Sequence, residues 1–233
     1  MKPTIDPDHK QTSQSKQKWL KKKDLNDLEA LLCKQFGFIP HIFQVKAISA
    51  QLLGEDVLLH AGTGSGKTVF AAGPHMHKKM ERCVSFVCSP LIALEEEQVN
   101  TFEKKFGLKA VAVNSDPEGC TYDIMQQICA GEWQIVVIFP EMILSKKFIN
   151  NVLLNSEMTK WILAIVIDEA HVIVHWGSGF RKQYSQLRVL RALLPKGVLF
   201  IAMSATLPPH VQKQVLKVLE FGHDFTDINL GND

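Results

Sequence analysis

The chain has 233 residues, of which 46% are hydrophobic and 21% charged, a balance typical of globular proteins that excludes disordered and fibrous chains. No apolar run approaches the roughly 18 residues that a membrane helix needs, so a membrane-spanning protein is excluded. The formal net charge of +2 is too small by itself to indicate a nucleic-acid partner.

The N-terminal segment, residues 1–18, is polar and poor in aromatic residues, and we predict that it is flexible. Residues 1–24 hold seven Lys and three Asp. The Lys-rich stretch from Lys16 to Lys23 could be a solvated helix face, a surface that steers DNA or a nuclear address. Without an apolar signal core at this end, secretion is not expected. One domain is predicted over residues 19–233.

Six short apolar runs predict the strands of a parallel sheet. Most of them are rich in β-branched residues and apolar on both faces, as strands covered by helices should be. They span residues 56–60, 83–88, 110–113, 134–139, 162–167 and 198–203. Between them lie stretches with helical spacing, including a helix predicted from about Leu20 to Phe36 and another after Pro208. This alternation predicts a single α/β domain, doubly wound with helices on both faces and ligands at the carboxyl ends of the strands.

Five cysteines are distributed without a C-x-x-C pair, so zinc-ribbon chemistry has no support. A chain of this size does not need disulfides for stability. We expect reduced, mostly buried thiols in an intracellular protein. The five are Cys33, Cys83, Cys88, Cys120 and Cys129.

A glycine-rich loop of sequence AGTGSGKT, residues 61–68, follows the first predicted strand and precedes a helical stretch. Small residues let successive backbone N–H groups turn inward and bind phosphate oxygens. Lys67 can reach the β and γ phosphates, and the Thr68 hydroxyl can ligate Mg²⁺. Ala61 replaces the usual first glycine of this pattern. The predicted nucleotide-binding residues of the loop are Gly62, Thr63, Gly64, Ser65, Gly66, Lys67 and Thr68.

An acidic pair, Asp168 and Glu169, directly follows the apolar run 162–167. A phosphate-binding loop requires a second Mg²⁺ ligand at the end of another strand, and Asp168 can supply it. Glu169 can polarise the attacking water as a general base. A competing zinc site at His171 and His175, spaced i,i+4, lacks the H-E-x-x-H pattern and is disfavoured.

The sequence DEAH at residues 168–171, together with the phosphate loop, resembles superfamily 2 helicases, and further segments are similar to the RecQ group of DNA helicases. Phe36, Gly37 and Phe38, followed by Gln44, match the segment that precedes the phosphate loop in that group. The resemblance implies the first RecA-like domain of such an enzyme, with ATP and Mg²⁺ as cofactors. It also implies that Gln44 contacts the adenine edge, which an amide can recognise as donor and acceptor. His41 stands where the group has an arginine.

Three further segments resemble helicase elements that act with DNA. Residues 89–94, continuing to Gln98 and Val99, look like the segment that contacts the DNA backbone, which implicates Ser89 and Pro90. Phe139, Pro140 and Glu141 match a Thr-Pro-Glu element, with Phe139 in place of the hydroxyl. Ser204 and Thr206, in the sequence SAT, resemble the element that couples hydrolysis to DNA movement.

The loop at residues 175–184, HWGSGFRKQY, is the most diagnostic segment because RecQ helicases carry W-G-H-D-F-R-P-x-Y there. Indole, phenyl and guanidinium groups can stack on unpaired bases and pair with phosphates. The resemblance therefore implies that Trp176, Phe180 and Arg181 bind DNA. Ser178 and Gly179 replace the His-Asp pair of the group.

From this resemblance we expect the ATP-binding and ATP-hydrolysing half of a RecQ-like, 3′–5′ DNA helicase of DNA repair and recombination. Lys67, Asp168, Glu169 and His171 are the expected catalytic residues. The family needs a second RecA-like domain, which this sequence lacks and which supplies an arginine to the ATP site. The isolated chain is therefore expected to hydrolyse ATP slowly and not to unwind duplexes.

Two alternatives remain open at this level. Ser178, Gly179 and Phe139 depart from the family pattern, which favours a non-catalytic module that binds nucleotide or DNA and regulates a partner. An RNA helicase domain would use the same ATP core. The expected location is the nucleus in a eukaryote and the cytoplasm otherwise, with DNA as partner and no association with membranes.

Overall fold

Seven parallel strands form one sheet in the computed structural model, which describes residues 19–62, 64–90, 95–114, 120–174 and 182–231. The strands are β1 Asp56–His60, β2 Val84–Cys88, β3 Ala110–Val113, β4 Ile135–Ile138, β5 Ile162–Ile167, β6 Leu199–Ser204 and β7 Phe225–Asn229. Their spatial order is β3-β4-β2-β5-β6-β1-β7. All neighbours pair in parallel, so every carboxyl end lies at the same edge of the sheet.

Helices cover both faces of the sheet, because successive strand side chains point to opposite sides and both sides are apolar. One core contains Leu32, Ile48, Phe70 and Phe102 with strand residues such as Val57. The other contains Phe86, Phe148, Tyr184 and Phe200. The helices are α1 Leu28–Phe36, α2 Ile42–Leu53, α3 Thr68–Ala72, α4 Glu95–Phe106, α5 Tyr122–Ala130, α6 Pro140–Ile143, α7 Lys146–Phe148, α8 Ser156–Thr159, α9 Lys182–Gln186, α10 Arg188–Leu193 and α11 Pro209–Val218. The predicted α/β fold is confirmed.

The helix predicted from Leu20 to Phe36 is wrong over its first eight residues. The amide of Leu20 donates to the carbonyl of Leu52 (2.9 Å), which fixes this end against α2. A short 3-10 turn, Lys22–Leu25, follows, and the Asp24 carboxylate accepts from the amide of Lys21 (3.1 Å). This contact is part of a capping box at the start of the turn, and the α-helix begins only at Leu28.

The strand β7 was not predicted from the sequence. Its residues FTDIN carry polar groups at alternate positions, and only Ile228 is buried. The strand pairs with β1 alone and forms the edge of the sheet, where polar residues are tolerated. The other six strands lie within one residue of their predicted bounds.

The predicted flexible segment, residues 1–18, lies outside the described residues, and the domain boundary at residue 19 stays a prediction. All five cysteines are free thiols, with Cys83, Cys88 and Cys120 buried and Cys33 and Cys129 partly exposed. Within the described ranges, the helices are all too short or too polar to cross a bilayer.

Candidate active site

Three adjacent strands bring the predicted catalytic residues together. The phosphate loop follows β1, Asp168 follows β5, and Ser204 ends β6. Because β5, β6 and β1 are neighbours in the sheet, these segments meet at its carboxyl edge. The amide of Ala61 donates to the carbonyl of Ser204 (3.0 Å), which joins the start of the loop directly to the end of β6.

The phosphate loop turns sharply at Gly64 and Gly66, whose φ angles are +84° and +74°. Such angles lie in the left-handed region that side chains disfavour. A Cβ atom at Gly66 would also lie 2.8 Å from Nε2 of Gln44, so this position requires glycine for two reasons. Thr68 begins α3, while Thr63 lies outside the described residues.

Gln44, predicted to contact adenine, fastens α2 to the phosphate loop. Its Oε1 accepts from the amide of His41 (2.9 Å), and its Nε2 donates to the carbonyl of Ser65 (3.1 Å). The residue is only 3% exposed. The structure therefore places Gln44 beside the loop, and its contact with adenine stays a prediction.

The acidic pair has a constrained backbone. The amide of Asp168 donates to the carbonyl of Cys88 at the end of β2 (2.9 Å), and the amide of Glu169 donates to Oδ1 of Asp168 (3.0 Å). Glu169 has a φ of 49° and a ψ of 45°, a left-handed conformation that costs a non-glycine residue about 1–3 kcal/mol. Strain of this kind is concentrated at functional sites.

Glu169 joins the phosphate loop to the residues that follow β5. Its Oε1 lies 3.7 Å from Nζ of Lys67, and its Oε2 lies 3.2 Å from Nδ1 of His171. The lysine predicted to bind phosphate and the glutamate predicted to activate water therefore form an ion pair with each other.

Asp168 has an unfavourable environment for its charge. Burial raises the pKa of its carboxyl, and the neighbouring charge of Glu169 raises it further, while Lys67 and the amide of Glu169 lower it. The net direction is upward because desolvation is the largest cause. A cation at this carboxylate would relieve both unfavourable contributions.

His171 connects the acidic pair to the SAT segment. Its Nδ1 lies 2.9 Å from Oγ of Ser204. That hydroxyl donates to the carbonyl of Thr206 (3.2 Å) and accepts from the amide of Thr206 (3.0 Å). Nδ1 of His171 thus lies within hydrogen-bond distance of both Ser204 and Glu169. A continuous chain of contacts thus runs from Lys67 to Thr206.

His60 makes a contact that the sequence did not indicate. It ends β1 immediately before the phosphate loop, and its Nε2 lies 3.2 Å from the carbonyl of Ala205. This contact gives the SAT segment a second attachment to the base of the loop. The residue looks like an ordinary strand end in the sequence, so nothing there could have identified it.

A cleft of about 270 Å³ opens beside the phosphate loop. Its polar lining comprises Gly64, Gly66, Lys67, Thr68, Gln98 and Asp168. Gln98 was grouped with the DNA-contacting segment on sequence grounds, and the structure places it on α4 at this cleft instead. The hydroxyl of Thr68 and the carboxylate of Asp168 are oxygen donors of the kind that Mg²⁺ prefers. Together with the raised pKa of Asp168, they fit a bound magnesium ion.

The structure describes only some of the residues predicted to bind DNA. Ser89 follows β2 and is only 1% exposed, and its amide lies 3.4 Å from the carbonyl of Ile138. Pro90 is partly exposed at the same edge of the sheet. Trp176, Phe180 and Arg181, with His175, lie outside the described residues. Their binding to DNA stays a prediction.

Tyr184, the last aromatic residue of the diagnostic segment, is buried beneath the site. Burial raises the pKa of its hydroxyl, and Cys88, Asp168 and Glu141 raise it further. No described residue accepts or donates a hydrogen bond at this hydroxyl. Tyr184 is thus part of the core behind Asp168.

A second groove of about 450 Å³ lies between α2 and β7. Glu55 and Thr226, which line it, stand at the amino ends of β1 and β7. Its charges are mixed, since Lys22 and Lys46 face Glu29 and Glu55. Because the phosphate loop is at the opposite edge of the sheet, this groove is not the site of the predicted chemistry.

Comparison with known proteins identifies a family for this architecture. Residues 41–215 match the model of the DEAD/DEAH box helicase family. This match covers all the described residues of the predicted ATP site.

Curated relatives include RecQ-family helicases. The chain is 31% identical over 180 residues to ATP-dependent DNA helicase hus2/rqh1 of Schizosaccharomyces pombe, an alignment that covers 76% of this chain and 13% of that protein. It is 30% identical over 183 residues to ATP-dependent DNA helicase RecQ of Haemophilus influenzae, covering 76% of this chain and 27% of that protein. The chain thus spans roughly an eighth to a quarter of these relatives.

Among solved structures, a hypothetical ATP-dependent RNA helicase from Sulfolobus tokodaii superposes with a TM-score of 0.59 at 24% identity. The match covers 88% of this chain and 57% of that one. At this identity it supports the fold alone.

Proposed function

Because this chain belongs to the DEAD/DEAH box helicase family, we propose that it is the ATP-binding and ATP-hydrolysing half of a RecQ-like, ATP-dependent DNA helicase. The observation that carries the proposal is the contact chain from Lys67 through Glu169 and His171 to Ser204. It joins the phosphate loop to the segment that would move DNA. The RecQ-named relatives support DNA as the polymer.

The ion pair between Lys67 and Glu169 suggests how binding prepares hydrolysis. Phosphate oxygens compete with Glu169 for Nζ of Lys67, so the arriving nucleotide frees the carboxylate. Glu169 then accepts the proton of the attacking water as a general base. His171 retains its contact with Ser204 and transmits the changed position of Glu169 to the SAT segment.

The residues of the cleft fit Mg²⁺, which the hydroxyl of Thr68 and the carboxylate of Asp168 would hold. When bound, the ion neutralises charge on the phosphate oxygens. Gln44 stabilises the loop through Ser65, and its contact with the adenine edge is part of the same proposal.

DNA is the proposed partner polymer, bound through Ser89, Pro90, Trp176, Phe180 and Arg181. Unwinding in the 3′–5′ direction and roles in repair and recombination follow from the RecQ resemblance. A second RecA-like domain is the proposed source of the arginine that completes the ATP site, a contribution of about 10³ to 10⁵ in rate in related systems. The proposed location is the nucleus in a eukaryote and the cytoplasm otherwise.

A regulatory module without catalysis and an RNA helicase were the alternatives. The presence of Lys67, Thr68, Asp168 and Glu169 around one cleft disfavours a module that has lost its chemistry. The RNA helicase from Sulfolobus tokodaii supports the fold alone, so it does not favour RNA.

The test is steady-state ATP hydrolysis by this chain, with and without single-stranded DNA. We expect slow turnover that increases with DNA. Glu169→Gln should reduce turnover by about 10² to 10⁴ while nucleotide still binds, because the amide cannot accept the proton. Glu132→Gln, an exposed change beyond α5, is the matched control and should leave turnover unchanged.

Three results would contradict parts of this proposal. Failure of the wild-type chain to bind Mg-ATP would eliminate an ATP-dependent enzyme. Undiminished turnover in Glu169→Gln would show that Glu169 is not the base. Stimulation by RNA but not by DNA would shift the assignment to the RNA helicase alternative.

A further inference from the structure

Among the described residues with polar side chains that line the nucleotide cleft, only Gln98 has no role in the mechanism above. It belongs to the first turn of α4 and lines the cleft together with Thr68 and Asp168. Sequence resemblance had grouped it with a DNA-contacting segment. Its position in the structure indicates a role at the nucleotide instead.

The side-chain oxygen of Gln98 lacks a hydrogen-bond donor. Oε1 is shielded from solvent, and no residue in the described part of the chain donates to it. A buried amide oxygen without a donor is costly, and native proteins satisfy most such atoms. An unsatisfied acceptor that lines a binding cleft points to a donor that arrives with the ligand.

The chemistry of the expected ligand restricts what that donor can be. The ribose hydroxyls and the adenine amino group of a nucleotide are donors, but Gln98 lies beside Lys67 and Thr68, where the proposed binding mode places phosphate oxygens, which are acceptors and cannot donate to Oε1. The ammonium of Lys67 is paired with Glu169 in the absence of nucleotide, and in the proposed mechanism it pairs with the phosphate oxygens once the nucleotide is bound. Water molecules bound to Mg²⁺ are donors, and Mg²⁺ commonly keeps several of them in protein sites. Thr68 and Asp168, the residues that would hold the ion, line the same cleft as Gln98.

We propose that Gln98 is a positioning residue whose Oε1 accepts a hydrogen bond from a water of the magnesium hydration shell. The inference rests on the proposed ATP-binding function. Gln98 acts through this water, so it strengthens binding of the metal–nucleotide complex without contacting the nucleotide.

The experiment measures the affinity of a fluorescent, non-hydrolysable ATP analogue by titration, once with Mg²⁺ and once with EDTA. The ratio of the two affinities isolates the contribution of the metal. Gln98→Leu removes the acceptor at similar volume, and Gln98→Glu keeps an oxygen at the same place. Asn100→Leu, an exposed change on the same helix, is the matched control.

We expect Gln98→Leu to reduce the affinity ratio about fivefold to tenfold, the size of one lost hydrogen bond, with metal-free affinity unchanged. Gln98→Glu and Asn100→Leu should keep the wild-type ratio or exceed it. Thermal unfolding of each variant confirms that it folds, and Gln98→Glu tests the proposal if Gln98→Leu does not fold. If Gln98→Glu folds but its ratio of affinities with and without Mg²⁺ falls below the wild-type ratio, the proposal is overturned.

Other outcomes overturn the proposal in distinct ways. Equal losses of affinity with and without Mg²⁺ in Gln98→Leu would mean a contact to the nucleotide itself. An unchanged ratio with weaker binding of single-stranded DNA would return Gln98 to the DNA-contacting segment. If the wild-type chain binds no nucleotide under either condition, the proposed function fails and this inference fails with it.

Discussion

Cys88 lies directly behind the acidic pair, because its carbonyl accepts the amide of Asp168. Its thiol is fully buried, and burial raises its pKa to about 12, with a smaller contribution from the charge of Glu141. The thiolate is the reactive form of cysteine. At pH 8 a thiol with this pKa is ionised in about one molecule in ten thousand.

We therefore predict that iodoacetamide at pH 8 modifies Cys33 first and leaves Cys88 intact in the folded protein. Cys33 is partly exposed, whereas Cys88 should react only after unfolding. Mass spectrometry of proteolytic fragments over a time course measures each site, and Cys33→Ser controls for the assignment. Equal rates at both cysteines would show that the backbone beneath Asp168 opens to solvent. Raising the pH towards 12 should accelerate the Cys88 reaction, since more thiolate forms.

At the residue scale, sequence motifs name residues that the structure brings together around one cleft, because the spacing of these motifs is local. Lys67, Thr68, Asp168 and Glu169 could be named from two short patterns. Gln98 could not be assigned to the cleft, because its neighbours Thr68 and Asp168 are distant in sequence and their meeting depends on the order of the strands. The DNA-binding roles of Trp176, Phe180 and Arg181 stay predictions.

The helix that follows the phosphate loop is packed against α2 without space between them. A Cβ atom on Gly73 would lie 2.2 Å from Cδ1 of Ile48 and 2.4 Å from its Cγ1. Both atoms belong to a fully buried side chain. Gly73 is therefore needed for close packing.

We predict that Gly73→Ala lowers the free energy of unfolding by about 1–3 kcal/mol through overpacking. Ile48→Ala alone should cost about 2–5 kcal/mol because it leaves a cavity. The double variant should be more stable than the sum of the two changes implies, by about 0.5–3 kcal/mol, since the new methyl group occupies the vacated space. Urea denaturation of the four proteins measures this coupling. Additive effects would contradict direct contact between α2 and the segment after α3.

At the scale of elements, the sequence predicts strands that are apolar on both faces, such as β5 with six buried residues. Prediction from the sequence fails where a tertiary contact determines whether a strand or a helix forms. The polar edge strand β7 is held by pairing with β1, and the predicted helix at Leu20 is prevented by the carbonyl of Leu52. Neither contact leaves a local pattern.

Asp56 links β1 to a neighbouring strand and to a helix. One carboxylate oxygen accepts from the amide of Phe200 on β6 (2.8 Å), and the other accepts from Nη2 of Arg191 on α10 (2.7 Å). The guanidinium carbon of Arg191 lies 3.8 Å from the ring centroid of Phe200. The first residue of β1 thus fixes both a neighbouring strand and a helix.

We predict that Asp56→Ala lowers the free energy of unfolding by about 1–3 kcal/mol, because it leaves a buried amide and a partly buried guanidinium without their acceptor. The control is Glu157→Ala, which removes an exposed pair with Lys160 and should cost at most about 1 kcal/mol. Chemical denaturation followed by circular dichroism measures both. Equal costs would mean that Asp56 makes only a surface ion pair.

The place of β1 in the sheet also determines when the active site can be completed during synthesis. Of the seven described strands, β1 is synthesised first, yet its two neighbours are β6 and β7, the last two of the seven. The bond between Asp56 and Phe200 spans 144 residues. Until those late strands emerge, the nascent chain must keep an apolar strand without partners, a state prone to aggregation. The nucleotide therefore cannot assist the early folding of this domain, because its site is complete only after β6 has paired with β1.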